Sequence, residues 1–237
     1  MAVVNAQYAS RLIVALDVTN ISDARQLIGK VGDSAGVWKI GLELLFSGGI
    51  ALAQELVSQG KHVFIDAKLL DIPNTVERAT ASIVQLGGAF LTVHGTDRRT
   101  LEAAVRGRGN ASMKLLAITV LTSLDRAGLD EQGTDLAAEE LVLRRAQFAR
   151  DAGFDGVVSA GVEARAIRKS CGEDFLIVTP GIRPAGAAVG DQARVMTPAR
   201  AINAGADYLV VGRPITQAQD PGAAARAIAE DIEQALV

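Results

Sequence analysis

Eight short runs rich in β-branched and other apolar residues recur along the chain, and each is followed by a helical pattern. The runs are 11–17, 36–40, 62–66, 89–94, 114–120, 155–159, 175–179 and 207–211. Apolar positions at helical spacing predict helices between them, for example over 22–31, 49–59, 75–86, 137–152, 193–204 and 222–236. Alternating strands and helices predict parallel strands with right-handed crossovers, and eight repeats close a barrel, whereas six or fewer favour an open sheet. We therefore expect an α/β fold, a single (β/α)8 TIM barrel.

Length and composition fit one such barrel. The chain has 237 residues, close to the roughly 250 of a typical barrel, so residues 1–237 are predicted to form one domain. Aromatic residues make up only 4% of a chain that is 49% hydrophobic, so aliphatic side chains must fill the core, as expected of parallel strands covered by helices. Glycines at the helix-to-strand joins, such as Gly87, Gly153 and Gly205, are expected to end the helices.

Charge and cysteine content argue against several classes of partner. A net charge of -3 with interspersed signs offers no broad field for nucleic acid or an anionic membrane. Cys171 is the single cysteine, which predicts neither an internal disulfide nor a zinc site and fits a reducing cytoplasm. The apolar run Leu12 to Leu16 is too short for a signal peptide or a membrane span. We expect a soluble cytoplasmic protein without nucleic-acid or membrane partners.

Charged side chains cluster where the predicted strands end. These residues are Asp17, Lys39, Asp66, Lys68, Asp71, His94, Arg183 and Arg213. Any one of them alone would be read as a solvated loop charge, but in a barrel the carboxyl ends of all strands meet at one mouth. The two longest non-periodic stretches, Leu121 to Thr134 and Pro180 to Gly190, follow strands and are predicted to be loops at the same mouth.

The densest group of polar residues is the segment 66–75, DAKLLDIPNT. If the strand continues through Lys68, then Asp66 and Lys68 share the interior face, because side chains alternate along a strand. A lysine held between carboxylates stays protonated and can serve as a general acid toward a carbanion. Residues 72–74 are predicted to end the extended segment and start a helix, with Asn74 or Thr75 near its N-cap. An ordinary surface ion pair with a helix cap explains Asn74 but not two acids and a lysine within six residues.

Two later segments have the character of a phosphate site. Arg183 precedes a small-residue stretch, 185–190, that ends near Gln192, a composition that suits a lid closing over an anion. Gly212 allows backbone amides close to an oxyanion, and Arg213 offers a two-pronged donor. Barrel phosphate sites commonly follow strands seven and eight, where these segments fall, so a phosphorylated substrate is predicted.

Together these residues resemble the orotidine 5'-phosphate decarboxylase family over nearly the whole chain. The matching motifs are ALDV with Asp17, WKIG with Lys39, DxKxxDIPNT, TVLTS, TPGIRP, DQ.R..TP and VVGRPIT. DxKxxD is shared with metal-dependent relatives, whereas DIPNT combined with GRPIT is highly specific. The resemblance implies decarboxylation of orotidine 5'-monophosphate to uridine 5'-monophosphate, the last step of de novo pyrimidine nucleotide synthesis, without metal or cofactor.

The resemblance also implies a role for each motif. Lys39, Asp66, Lys68 and Asp71 would form an alternating charged tetrad, in which Lys68 protonates C6 and Asp66 lies near the departing carboxylate. The implied substrate contacts are Asp17 with the ribose hydroxyls, Thr122 and Ser123 with the pyrimidine, Pro180 as a further contact, and Arg183, Gln192, Gly212 and Arg213 in the phosphate grip and closing loop.

The family is further expected to act as a homodimer. Asp71, Ile72 and Thr75 of each subunit are implied to reach into the neighbouring subunit's site. With an isologous two-fold pairing, each dimer then has two equivalent composite sites.

The chain departs from the common family pattern at two places. Ala67 and Leu70 replace residues of the usual DLKLHDIPNT, but both lie between the charged positions, so the chemistry should be kept. Residues 97–99 begin a helix where many members carry a glycine pair, which affects local surface or dimer contacts. His94 is assigned no catalytic role.

Two other functions are open from the sequence. A metal-dependent decarboxylase or aldolase of the same superfamily would act on a sugar phosphate and use its carboxylates to hold magnesium. A non-catalytic nucleotide-binding regulator would use the same phosphate grip. Loss of turnover on chelation would favour the first, and tight uridine monophosphate binding without decarboxylation would favour the second.

Overall fold

The eight predicted strands close into one parallel barrel. The structure is a computed structural model that describes residues 10–184 and 195–236. Its strands are β1 (Leu12–Ala15), β2 (Val37–Ile40), β3 (His62–Leu69), β4 (Phe90–His94), β5 (Lys114–Ile118), β6 (Gly156–Val158), β7 (Leu176–Thr179) and β8 (Tyr208–Val211). Each strand pairs in parallel with the next, and β8 pairs with β1. The predicted α/β barrel is confirmed.

Helices alternate with the strands and form the outer layer. They are α1 (Ile21–Val31), α2 (Leu42–Leu44), α3 (Ile50–Ser58), α4 (Pro73–Val84), α5 (Arg98–Arg108), α6 (Arg126–Glu131), α7 (Ala138–Ala152), α8 (Ala164–Cys171), α9 (Pro198–Asn203), α10 (Arg213–Thr216) and α11 (Pro221–Leu236). Short 3-10 segments span Gly32–Ser34 and Gly161–Glu163, and a π-helical segment spans Leu45–Gly49. Within the described residues, no helix is both long and apolar enough to cross a membrane.

One predicted helix boundary and one predicted loop are wrong. The helix expected over 193–204 begins only at Pro198, because Met196 is held in an isolated bridge with Ile182. The stretch 121–134, expected to be loop, contains α6, whose N-cap Asp125 accepts a hydrogen bond from the backbone N–H of Gly128. This short helix has no apolar periodicity in its sequence, so the sequence pattern does not predict it.

Helix α4 begins at Pro73, before the predicted start at 75. Its N-cap is Ile72, with no side-chain hydrogen bond, and Asn74 and Thr75 lie near this cap, in the first turn. Pro73 takes the first helical position, where its fixed φ suits the helix and its missing N–H costs nothing. Asp71 lies just before the cap, and its Oδ1 accepts a hydrogen bond from the backbone N–H of Ile72 at 2.7 Å.

The core has two layers, one inside the barrel and one between the barrel and its helices. Along β2, Val37 belongs to the interior cluster and Trp38 to the outer one. Side-chain alternation therefore turns Lys39 inward. Inside the barrel, the Phe90 ring makes edge contacts with Phe64 and Tyr208, at centroid separations of 5.7 and 5.2 Å. This packed interior forms a floor beneath the charged residues at the carboxyl ends of the strands.

Two aspartates fasten neighbouring elements at the opposite, amino-terminal end of the barrel. The Asp207 carboxylate accepts hydrogen bonds from the Arg168 side chain and from the backbone N–H of Ile177, each at 2.7 Å. Asp155 accepts in the same way from Arg108, at 2.6 Å. Both aspartates directly follow the glycine-containing joins that the sequence pattern predicts to end helices. These contacts join strands and helices that are far apart in sequence, and they lie away from the mouth.

Candidate active site

A cavity of about 240 Å³ opens at the carboxyl ends of the strands. Its charged lining residues are Asp17, Lys39, Asp66, Lys68, Arg183 and Arg213. Apolar side chains contributed by several strands, among them Phe64, Ile118, Val158 and Val210, complete its wall. The predicted mouth therefore exists, and it combines a cluster of opposite charges with an apolar surface large enough to contact a ring.

Asp66 is the centre of the charge cluster. Its side chain is only 9% exposed, and its Oδ2 lies 2.6 Å from Lys68 Nζ and 3.2 Å from Lys39 Nζ. Lys39 Nζ also lies 3.1 Å from Asp17 Oδ1. The charges therefore alternate in the order Asp17, Lys39, Asp66 and Lys68. Within one chain it is Lys39 that lies between two carboxylates, and Lys68 lies beside Asp66.

The cluster keeps its members ionised. Burial alone would raise the pKa of Asp66, but the charges of Lys39 and Lys68, with hydrogen bonds from Lys68 and Thr92, hold that pKa below its ordinary value. Burial would lower the pKa of Lys39, but Asp66 and Asp17 raise it above its ordinary value. Asp66 and Lys39 are therefore both charged at neutral pH, and Lys68 stands beside a fixed carboxylate.

Strand β3 is bulged where it carries Lys68. The strand pairs with β4 at Ile65↔Leu91 and again at Leu69↔Val93, so three β3 residues lie opposite one β4 residue. Lys68 has a φ of 49°, and it is the one residue other than glycine with positive φ in the part of the chain that the structure describes. The strand runs past its predicted end at 66 and continues through Lys68, which was the condition for Asp66 and Lys68 to share the interior face, but the regular alternation assumed for it is interrupted.

Thr92 is the β4 residue that faces this bulge. It is fully buried, and its hydroxyl donates a hydrogen bond to Asp66 Oδ1 at 2.9 Å. The Thr92 hydroxyl oxygen also accepts a hydrogen bond from the backbone N–H of Lys68 at 3.0 Å. One hydroxyl thus contacts both the carboxylate and the backbone of the residue that carries the ammonium group.

His94 ends β4 beside this cluster and is half-buried. Burial lowers its pKa, the charges of Arg145 and Lys68 lower it further, and Asp66 opposes them only in part. The imidazole is therefore neutral at neutral pH, as expected for a group close to a cluster that already contains two lysines.

Arginines from the segments after β7 and β8 also line the cavity. Arg183 follows Gly181, which adopts a φ of 75°, and its backbone N–H bonds to the carbonyl oxygen of Met196 at 3.0 Å. This contact joins the two ends of the segment 185–194, which lies outside the described residues and contains Gln192. Arg213 is exposed in the first turn of α10. Two guanidinium groups at this rim suit an anionic ligand.

Comparison with known proteins identifies the family. The sequence profile described as "Orotidine 5'-phosphate decarboxylase / HUMPS family" matches residues 10–228. The chain belongs to this family. It is 54% identical over 228 residues to an orotidine 5'-phosphate decarboxylase of Methylobacterium sp. (strain 4-46), covering 95% of this chain and 96% of that protein. It is 52% identical over 226 residues to one of Bradyrhizobium sp. (strain ORS 278), with 95% and 93% covered.

A solved structure of this family also has the same fold. The crystal structure of orotidine 5'-phosphate decarboxylase from Lactobacillus acidophilus superposes with a TM-score of 0.82 at 38% identity, covering 93% of this chain and 98% of that one. The resemblance to the orotidine 5'-phosphate decarboxylase family is therefore confirmed, and the barrel with it.

Most, but not all, residues expected from the decarboxylase motifs line the cavity. The expected residues that do are Asp17, Lys39, Asp66, Lys68, Thr122, Pro180, Arg183, Gly212 and Arg213. Ser123, Asp71, Ile72 and Thr75 are exposed and do not line the cavity of their own chain. Across the described residues, no group of three or more His, Cys, Asp or Glu side chains is arranged to hold a metal ion.

Two positions that shape this charge cluster are not evident from the sequence. Thr92 falls within a predicted strand, and nothing in a single sequence shows which β4 residue faces Asp66. Gly41 lies in the WKIG motif, and a Cβ there would come within 3.1 Å of Lys39 Nζ and 3.2 Å of Asp17 Oδ1. A larger residue at Gly41 would press on this ion pair, which explains why the chain keeps a glycine next to Ile40.

Proposed function

We propose that the chain converts orotidine 5'-monophosphate to uridine 5'-monophosphate, the last step of de novo pyrimidine nucleotide synthesis. The bond between C6 and the carboxylate breaks, its electron pair stays on C6, and carbon dioxide leaves. The Lys68 ammonium then transfers a proton to C6 and is reprotonated by solvent. The observation that carries this proposal is the Lys68 Nζ held 2.6 Å from a buried carboxylate at the wall of a cavity.

In this scheme the charge cluster acts in two ways. The ammonium groups of Lys39 and Lys68 are fixed before substrate binds, so positive charge already lies where negative charge develops on C6. Asp66 orients Lys68 and, being held ionised, disfavours a second carboxylate nearby in the ground state. The reaction needs no electron acceptor, and these side chains supply both the charge and the proton, so no metal or cofactor enters the scheme.

Substrate recognition is proposed on the residues that match the family motifs. Asp17 would bind the ribose hydroxyls, Thr122 and Ser123 would contact the base, and Pro180 would be a further substrate contact. The phosphate would be bound by Arg183, Gln192, Gly212 and Arg213, as the two guanidinium-bearing residues that line the cavity suggest.

The experiment is conversion of orotidine 5'-monophosphate followed by its loss of absorbance, with and without a chelator. We expect the same turnover under both conditions. Turnover that a chelator abolishes and magnesium restores would favour the metal-dependent alternative. Tight uridine monophosphate binding without turnover would favour a nucleotide-binding regulator. Absence of both turnover and nucleotide binding would reject the proposal entirely.

The working unit is proposed to be a homodimer, in which Asp71, Ile72 and Thr75 complete the partner's site. Support comes from large apolar side chains that are exposed in the segments following the paired strands β2 and β3, where Phe46 is 88% exposed, Leu70 56% and Ile72 67%. Exposed large apolar side chains at one end of a barrel favour contact with another protein surface. A second copy would cover these residues and bring Asp71 to the cavity that it does not line in its own chain.

Mixed dimers test this arrangement. When a Lys68→Ala subunit pairs with an Asp71→Ala subunit, one site has both groups intact and the other lacks both. After dissociation and random reassortment of equal amounts, about half of the dimers are mixed, so about a quarter of wild-type activity should return. Parental dimers mixed without dissociation are the control and should stay nearly inactive. Verified mixed dimers as inactive as the parents would show that Asp71 acts within its own chain.

The cellular setting is proposed from composition. The buried free thiol of Cys171 fits a reducing cytoplasm. A net charge of -3 argues against nucleic acid as a partner.

We also propose that residues 1–237 act as one domain, since the family match spans residues 10–228.

A further inference from the structure

Thr92 is the single β4 residue opposite a bulge that contains two residues of the charge cluster. Between the pairs Ile65↔Leu91 and Leu69↔Val93, β3 has three residues and β4 has one. Only one β4 side chain therefore faces the bulge. It is the side chain of Thr92, which is fully buried and carries a hydroxyl group.

The two hydrogen bonds of Thr92 hold the Asp66 carboxylate and the Lys68 backbone, the two groups that set the position of the Lys68 ammonium group. A hydroxyl can donate one hydrogen bond and accept another at the same time. Here it donates to Asp66 Oδ1, the oxygen that does not contact Lys68, and so fixes the plane of the carboxylate. It accepts from the Lys68 N–H and so helps to hold a backbone conformation that side-chain-bearing residues rarely adopt.

We propose that Thr92 is a positioning residue of the decarboxylation, because it holds the Lys68 backbone in its left-handed conformation and thereby directs the ammonium group toward the reacting carbon. This inference rests on the proposed function. Thr92 is not itself expected to touch the substrate, since it does not line the cavity. Strain held in place by a buried side chain is a recurring feature of functional sites.

The experiment compares Thr92→Val with Thr92→Ser. Valine has nearly the same shape but can form neither hydrogen bond, whereas serine keeps the hydroxyl. We expect Thr92→Val to lower kcat about a hundredfold, because a displacement of about 1 Å in a catalytic group costs that much. KM and the Kd of uridine monophosphate should stay within about threefold, since the phosphate grip is unchanged. Thr92→Ser should recover kcat to within about fivefold of wild type.

Thr100→Val is the matched control. Thr100 is buried and its hydroxyl also donates to an aspartate, Asp97 Oδ2 at 2.8 Å, but it lies at the start of α5, outside the cavity. Its loss should leave kcat within about twofold of wild type while lowering the melting temperature by an amount comparable to that of Thr92→Val. Equal kcat for the Thr92→Val and Thr100→Val proteins would overturn the proposal.

A second measurement does not depend on turnover. A crystal structure of Thr92→Val should show Lys68 relaxed to negative φ and its Nζ displaced from Asp66. An unchanged φ of Lys68 and an unchanged ion pair would overturn the inference even if activity fell. If the wild-type chain has no decarboxylase activity, the proposed function fails, but this structural measurement still tests whether Thr92 holds Lys68.

Discussion

Replacing Asp66 by asparagine should destabilise the protein, because it removes the charge at the centre of the cluster. Asparagine keeps the shape but leaves two ammonium groups without the carboxylate that now lies 2.6 Å from one and 3.2 Å from the other. The Lys39 side chain is only 10% exposed and would retain a single partner, Asp17, whose side chain is 57% exposed. The remaining positive charge would be poorly compensated.

The expected size of the effect follows from burial. Removing one partner of a buried ion pair costs about 3–5 kcal/mol, and we take the lower end because Lys39 keeps Asp17 and the Lys68 side chain is 29% exposed to water. For a chain of this length, 1 kcal/mol shifts the melting temperature by about 2–4 °C, so Asp66→Asn should melt about 6–12 °C below wild type at pH 7. A matched control is Glu55→Gln, which breaks an exposed ion pair with Arg25 and should change the melting temperature little.

The difference should also depend on pH in a defined direction. The folded-state pKa of Asp66 is held below its ordinary 3.8, so its charge stabilises the fold at pH values above 3.8. That contribution is lost only as the pH falls through the lowered folded-state pKa. Thermal unfolding of both proteins should therefore show a constant difference between pH 7 and pH 5, narrowing below pH 3.8. A variant as stable as wild type at pH 7, or more stable, would refute the reasoning.

Two further predictions separate the phosphate grip from the framework. Arg213→Ala should chiefly raise KM, because a charge-assisted phosphate contact is lost. In the wild-type enzyme, phosphite should activate turnover of the substrate nucleoside that lacks its phosphate. No activation by phosphite would show that phosphate binding does not drive closure of the loop after Pro180. Asp207→Ala should lower the free energy of unfolding by about 3 kcal/mol, since Arg168 and the Ile177 N–H lose their shared acceptor, but should leave kcat within about twofold of wild type. Calorimetry measures the stability and an activity assay measures kcat. A large loss of kcat in the folded variant would contradict the separation of framework from site.

Much of the fold can be predicted from the sequence because parallel strands covered on both faces are short apolar runs. Each predicted run contains or overlaps one observed strand. Gly153 is the C-cap of its helix as predicted, whereas Gln85 and Ala204 are the C-caps ahead of Gly87 and Gly205. The end of β3 is different. The run predicted over 62–66 extends to Leu69 only because a bulge places Lys68 opposite Thr92, and this depends on tertiary contacts that local propensity does not encode.

The candidate site shows the same division. Charges at strand ends predict that Lys39, Asp66 and Lys68 meet, since all strand ends converge at one mouth. The pairing of Lys39 with Asp17 depends on the distance between side chains of adjacent strands, which the sequence does not specify. The position of Asp71 is another example. It is only three residues from Lys68 in sequence but is exposed, because α4 begins at Pro73 and turns the chain away from the cavity.

The most direct test of the account is the turnover of Lys68→Ala measured together with its affinity for uridine monophosphate. Because the variant loses the proposed proton donor and part of the fixed positive charge, kcat should fall at least about a thousandfold. The affinity for uridine monophosphate should change little, since the residues proposed to bind its phosphate are intact. A kcat within about tenfold of wild type, with the variant shown to be folded, would remove Lys68 from its proposed role and contradict the mechanism.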